Sequence, residues 1–426
     1  MISYRNLAMR ALNHAPCVRG GEGKPLTRRL AALAVAAALM AGTAVPAFAE
    51  VYDIGAGSIT IEANGDGTAK VTQNENVTDK DDDVTVTGSN AGTSNAVDVI
   101  NNTDDDLKVT LSDVTITDTK GDAAVSVSGT GDTTIELDGS NTLESSGWHA
   151  GLERNEEKDS AGNVVSGKLT IQDEDKNGSL DATGGYGGAG IGGANLKNSG
   201  AIEITGGTIT ATGTLDGAGI GGGGSGGDGT VIISGGNITA QGGSSDNPNA
   251  ICGAGIGGGG GYGNATVTIT GDAVIEEATG GEGAAGIGSG VFGNVTMNIS
   301  GNATVNAEGG ANGAGIGGGY ASAGDVTIEG GTTVSAAGGV GGGAGKLKLH
   351  PDAVFQANFL TAAGRQVVAE SCLAHLDAPT VQPACHLHRG GYAAGLAGRK
   401  QTHLLYLRVA QGVPCFGLYR NVLQAV

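Results

Sequence analysis

Chemistry needs side chains that can carry it, and in this chain of 426 residues they are few. The stretch DEDKNGSLD places Asp173, Asp175, Asn177 and Asp181 at alternate positions, with Gly178 free to make a sharp bend. This is the opening pattern of an oxygen-ligand loop for Ca²⁺. The twelfth position of such a loop, normally a bidentate glutamate, is Gly184. Two readings therefore stand: a calcium site, the one cofactor the sequence suggests, or a polar turn between two strands. Aromatics make up only 3% of the chain, so their placement matters. Tyr262, Phe292 and Tyr320 each follow a glycine tract by a few residues. Rings repeated in that way either form a ligand platform, because an aromatic face offers a large apolar area to a sugar, or anchor loops to their neighbours. Trp148, the only tryptophan, is expected to cover a junction between two sections of the chain.

Acid–base machinery is sparse. Between residues 177 and 345 the only basic residue is Lys197, and there is no histidine. The carboxylates Asp216, Asp272, Glu276, Glu277, Asp325 and Glu329 are scattered. Glu276 and Glu277 are adjacent, so on a strand they should point to opposite faces. No catalytic residues are assigned, and the chain is expected not to be an enzyme. None of the glycine tracts carries the lysine that a phosphate loop needs. Cys372, His375, Cys385, His386 and His388 are zinc-ligand types at spacings that do not match a standard site.

The elements that would position these groups are repeats. GAGIGGG at Gly217–Gly223 recurs in variant form at 188–193, 253–260, 283–288 and 313–319, which aligns Ile191, Ile220, Ile256, Ile287 and Ile316. Spacings of 29, 36, 31 and 29 residues indicate a stacked array. Two further columns, Ile204/Ile233/Ile269/Ile299/Ile328 and Ile202/Val231/Val267/Met297/Val326, alternate with polar residues at the strand period of two. Ile209, Ile238, Val305 and Val334 form another. Three short strands in about 30 residues fit one coil of a solenoid better than a four-stranded propeller blade. HAGLERN at His149–Asn155 reads as a degenerate first tract, with Leu152 in the isoleucine place.

The fold expected is all-β: a single-stranded parallel β-helix, three short strands per coil, with glycine-rich turns. Residues 1–49 read as a secretory signal with an N-terminal extension, 50–146 as N-terminal solenoid coils, 147–345 as the glycine-rich repeat helix, and 346–426 as an atypical tail, either a cap or a frameshift product. The signal reading rests on Lys24, Arg28 and Arg29, the apolar run Leu30–Ala41 and the small-residue pattern Ala47-Phe48-Ala49. Residues 50–345 carry a net charge of −30, which repels phosphate backbones and argues against a nucleic-acid partner.

Units such as GKLTIQDEDKNGSLDATGG, GGTITATG and GAGIGGG resemble the right-handed, pectin-lyase-like parallel β-helix repeats of secreted bacterial proteins of carbohydrate-binding type. That resemblance implies a surface or secreted protein from a group that includes polysaccharide lyases and hydrolases, adhesins and non-catalytic sugar binders. The function expected is a secreted or cell-surface, non-catalytic binder of polysaccharide or host glycans through Tyr262, Phe292 and Tyr320. The alternatives are an adhesive stalk without a specific ligand and a polysaccharide-degrading enzyme. The chain should be a monomer with no membrane span once the signal is removed.

Overall fold

The computed structural model describes residues 50–117, 119–245 and 251–338 in full, and the backbone of three later strands, Lys346–Leu349, Val354–Leu360 and Gln366–Glu370. The proposed signal and the tail cysteines and histidines lie outside the described residues.

Alternation of apolar and polar residues puts β-branched side chains on one face of each strand, and burying that face closes the chain into coils. The coils stack by parallel pairing into three walls. The first wall stacks Val84–Ser89, the first part of Leu107–Ile116, Thr133–Asp138, Leu169–Gln172, Ala201–Ile204, Gly229–Ile233, Ala265–Ile269, Asn294–Ile299, Ala323–Ile328 and Lys346–Leu349. The second runs from the end of Leu107–Ile116 through Ser140–Glu144, Ser179–Thr183, Thr208–Thr212, Asn237–Gln241, Val274–Thr279, Thr304–Glu308 and Thr333–Gly338 to Val354–Leu360. The third starts with Ile59–Ala63, Val97–Ile100, Val125–Ser128 and Leu152–Glu153, then narrows to two residues per coil, Ile191–Gly192 to Ile316–Gly317.

The isoleucine column is in register: Leu152 pairs with Ile191, and Ile191, Ile220, Ile256, Ile287 and Ile316 follow one above another. All but Ile316 are fully buried, and Ile316 packs partly buried against the same core. One coil encloses Val231, Ile233, Ile238, Ala240 and Ile256, and each large side chain contributes about 1.5–3 kcal/mol by leaving water.

The glycine after each isoleucine has a specific cause. Gly192, Gly221, Gly257, Gly288 and Gly317 lie at φ between 128° and 143°. A Cβ on any of the first four would overlap the carbonyl oxygen of the equivalent glycine in the next coil. Gly221→Ala should therefore destabilise the protein by at least about 2 kcal/mol, from unfavourable φ together with the overlap. Chemical denaturation of the variant checks this, and an unchanged midpoint would contradict it.

Three features differ from the sequence reading. Residues 69–81 are not coil strands: Ala69–Gln73 and Asn76–Asp81 turn back antiparallel from Ile59–Ala63, the first strand of the third wall, as a meander. Antiparallel and parallel strands share the same side-chain period, so alternation alone does not separate them. The walls also continue beyond residue 345: Lys346–Leu349 and Val354–Leu360 pair parallel and in register with the coil below, and Gln366–Glu370 then turns back antiparallel. Finally, Glu276 and Glu277 are both exposed. A register shift between Ile275 and Ala278 inserts an extra residue there, and such a bulge breaks the alternation that predicts opposite faces.

Candidate ligand-binding corner

The narrow third wall brings two loops together. In each glycine-rich coil the N–H two residues before the isoleucine donates to the carbonyl two residues after it, as in Ala189 to Gly193 at 3.0 Å and Ala254 to Gly258 at 3.0 Å. The chain dips inward, buries the isoleucine and comes straight out again. The loops entering and leaving this dip are hydrogen-bonded to each other across coils. Asn195 donates to the Trp148 carbonyl at 2.8 Å, Gly224 to Gly187 at 2.7 Å, Gly260 to Asp216 at 2.6 Å and Tyr320 to Gly283 at 2.7 Å. The result is a continuous corner built of loop tips from successive coils.

The described residues include ten exposed large hydrophobics, and seven of them lie on this corner: Trp148, Tyr186, Leu196, Ile251, Tyr262, Phe292 and Tyr320. The other three, Val51, Val77 and Val164, lie elsewhere. The expected aromatic ladder is present. The rings of Tyr262 and Phe292 are stacked with centroids 5.5 Å apart, and Phe292 meets Tyr320 edge-on at 6.0 Å. They remain 72%, 41% and 48% exposed. Phe292 and Leu196 sit at φ 64° and 67°, a conformation unfavourable to any residue with a Cβ, so both apolar tips are held outward against local preference.

Trp148 does not cover a junction; it is 61% exposed and belongs to the row. Sequence reasoning missed Tyr186, Leu196 and Ile251. The signal was their offset, because each lies five residues from an isoleucine of the column. Asp216 accepts hydrogen bonds from the Ser225 N–H at 2.8 Å and hydroxyl at 3.1 Å, which braces one loop against the other. Beside Trp148, the half-buried His149 places Nδ1 2.8 Å from Glu153 Oε2, and that hydrogen bond raises the imidazole pKa. When protonated, the imidazole pairs with the Glu153 carboxylate, so this end of the corner then holds an ion pair.

The calcium candidates divide. Asp173, Asp175 and Asn177 come together in one turn, but its polar groups are engaged with one another. Asp173 accepts from the N–H groups of Asn177 at 3.2 Å and Gly178 at 3.0 Å, and Asp175 accepts from the Asn177 amide at 2.8 Å. Asp181 is not part of the turn; it is exposed on the outer face of Ser179–Thr183, between Thr142 and Thr210. Among the described residues no group of three or more His, Cys, Asp and Glu could hold a metal ion.

Arg154, also missed, is the largest fully buried side chain among the described residues. It follows Leu152 where the chain leaves the coil for a 155–168 excursion closed by a Lys158–Val164 bridge. Its guanidinium donates to the carbonyls of Val127 at 3.1 Å, Gly129 at 2.8 Å and Gly167. Burial pulls its pKa down, with Glu157 and Asp132 opposing.

No curated protein and no solved structure matches the chain. The beta helix repeat family model matches residues 202–224, 231–260 and 298–320, and each segment runs from a first-wall strand through a second-wall strand to a glycine tract. Repeat match and stacked walls together identify the chain as a parallel β-helix protein.

Proposed function

We propose that this protein is an exported, non-catalytic β-helix that binds neutral polysaccharide along the loop corner. The observation that carries the reading is the concentration of exposed apolar side chains in one row, with aromatic rings at the spacing of the coils. Contiguous exposed apolar surface of this kind is a signature of interaction sites. A rigid scaffold presents the rings without ordering them at binding, and a polymer engaging several coils gains avidity. The net charge of −30 over residues 50–345 opposes anionic polymers, so neutral glycans are the better match. Support for a non-catalytic role comes from the scarcity of basic residues and the absence of histidine between 177 and 345.

Titration of the exported protein with neutral polysaccharides should show saturable binding. Replacing Tyr262, Phe292 and Tyr320 together by Ala should weaken it at least tenfold. Stability should fall by less than about 2 kcal/mol, since only exposed ring contacts are lost. A triple variant that binds like the parent would remove the corner from consideration, and a parent that binds no neutral glycan would favour a stalk without a specific ligand.

A further inference from the structure

The N-terminal cap contains a buried carboxylate that meets no basic side chain among the described residues. Asp81 ends the meander strand Asn76–Asp81 and is 2% exposed. Its Oδ2 lies 2.9 Å from the Tyr52 hydroxyl, its Oδ1 accepts from the Asp83 N–H at 3.1 Å, and it also accepts from the backbone N–H of Glu50. The Glu50 carboxylate lies 3.1 Å from the same Tyr52 hydroxyl and accepts from Thr78 Oγ1 at 2.7 Å. One phenolic proton thus faces two carboxylates and can serve only one of them at a time.

Among the described residues the ionisable groups acting on Asp81 are Glu50 and Tyr52, with Asp83 contributing its N–H, and no basic side chain is among them. The nearby Lys80 is engaged by Asp66. Burial, with Glu50 adding to it, holds the Asp81 pKa above the usual carboxylate range, and burial also raises that of Tyr52. A buried carboxylate in this setting is costly unless a cation reaches it.

The sequence offers a source for such a cation. The small-residue pattern Ala47-Phe48-Ala49 ends immediately before Glu50, and cleavage after such a pattern is the chemistry of signal removal. We propose that hydrolysis of the Ala49–Glu50 bond completes the fold: the new α-ammonium of Glu50 pairs with the buried Asp81 carboxylate and locks the N-terminal cap. The step consumes one water with an endopeptidase as catalyst. Ala49 leaves with the new carboxylate, and Glu50 keeps the amine, which takes up a proton at neutral pH. The nitrogen that becomes charged is the one whose N–H already faces Asp81, and the Glu50 carboxylate meets the same Tyr52 hydroxyl that reaches Asp81. Before cleavage this nitrogen is a neutral amide and Asp81 stays uncompensated.

The test begins with the full chain expressed in a host that exports it. Intact mass and N-terminal sequencing of the exported protein should give Glu50 as the first residue; a different first residue overturns the proposal. The exported protein is then treated with an amine-selective acylating reagent across a pH series. Pairing should raise the α-amine above its ordinary range of about 7.7–8.0 and slow its labelling at pH 7 at least tenfold relative to the urea-unfolded chain. Labelling at the unfolded rate overturns the proposal, and this measurement uses only the unmutated chain. In Asp81→Asn, which keeps the burial but removes the charge, labelling should return to within about threefold of the unfolded rate. If the Asn variant folds and remains as slow as the parent, burial rather than pairing protects the amine and the proposal fails.

Discussion

Ile256→Asp will break the solenoid in the middle. Ile256 is fully buried and pairs with Ile220 below and Ile287 above, so the variant loses a large apolar contact and puts a carboxylate in a column with no polar partner. Loss of the isoleucine contributes about 2–5 kcal/mol and the buried carboxylate several more. The sum is comparable to the whole stability of an ordinary domain, roughly 5–15 kcal/mol. Because each coil contacts mainly its neighbours, the damage should spread from residue 256 outwards instead of striking all coils at once. Hydrogen exchange should show protection lost first in the coils holding Ile220, Ile256 and Ile287, and kept longest around Ile59–Ala63 and Val97–Ile100. Uniform protection equal to the parent would contradict the packing of the column.

The second large effect is expected at Arg154. Its guanidinium supplies the donors for carbonyls from Val127, Gly129 and Gly167, at the place where the regular tract is interrupted. Arg154→Leu fills part of the space but takes these donors from the Val127 and Gly167 carbonyls, while Gly129 keeps the Gly167 N–H at 3.2 Å, and each unmet group costs about 1–3 kcal/mol. The expected loss is about 3–5 kcal/mol, read as a shift in denaturation midpoint. Arg154→Lys should recover only part of it, because an ammonium cannot reproduce the planar fork that reaches several carbonyls at once. A leucine variant as stable as the parent would show that ordered water meets these carbonyls instead.

Much of this architecture could be read from residue types. The five isoleucines were alignable because each is the one branched side chain in a run of glycine and alanine, and that isolation reflects the inward dip that buries them. Leu152 could be placed in the same column on position alone, and its pairing with Ile191 bears this out. Arg154 could not, because nothing in a charged residue's identity says that neighbouring carbonyls will enclose it. The meander at 59–81 was hidden by a period common to both strand directions. The ladder of Tyr262, Phe292 and Tyr320 was visible since it follows consecutive tracts. Tyr186 and Ile251 approach the same corner from the entering loop, and only the hydrogen bonds between loops show that the two sides meet.

Antiparallel segments close part of each end of the stack. A stack of parallel strands has no intrinsic length: each end presents free N–H and C=O groups to which another copy could add, giving a fibre. Here the third wall is closed at its start by the antiparallel strands Ala69–Gln73 and Asn76–Asp81, whereas Val51–Asp53 adds to the first wall in parallel. At the far end Gln366–Glu370 runs against Val354–Leu360 in the opposite direction. A reversed strand offers the wrong hydrogen-bond pattern for another parallel coil. Where they occur, on the third wall at the start and the second wall at the far end, the reversals therefore hinder one-dimensional growth of a repeat that could otherwise polymerise.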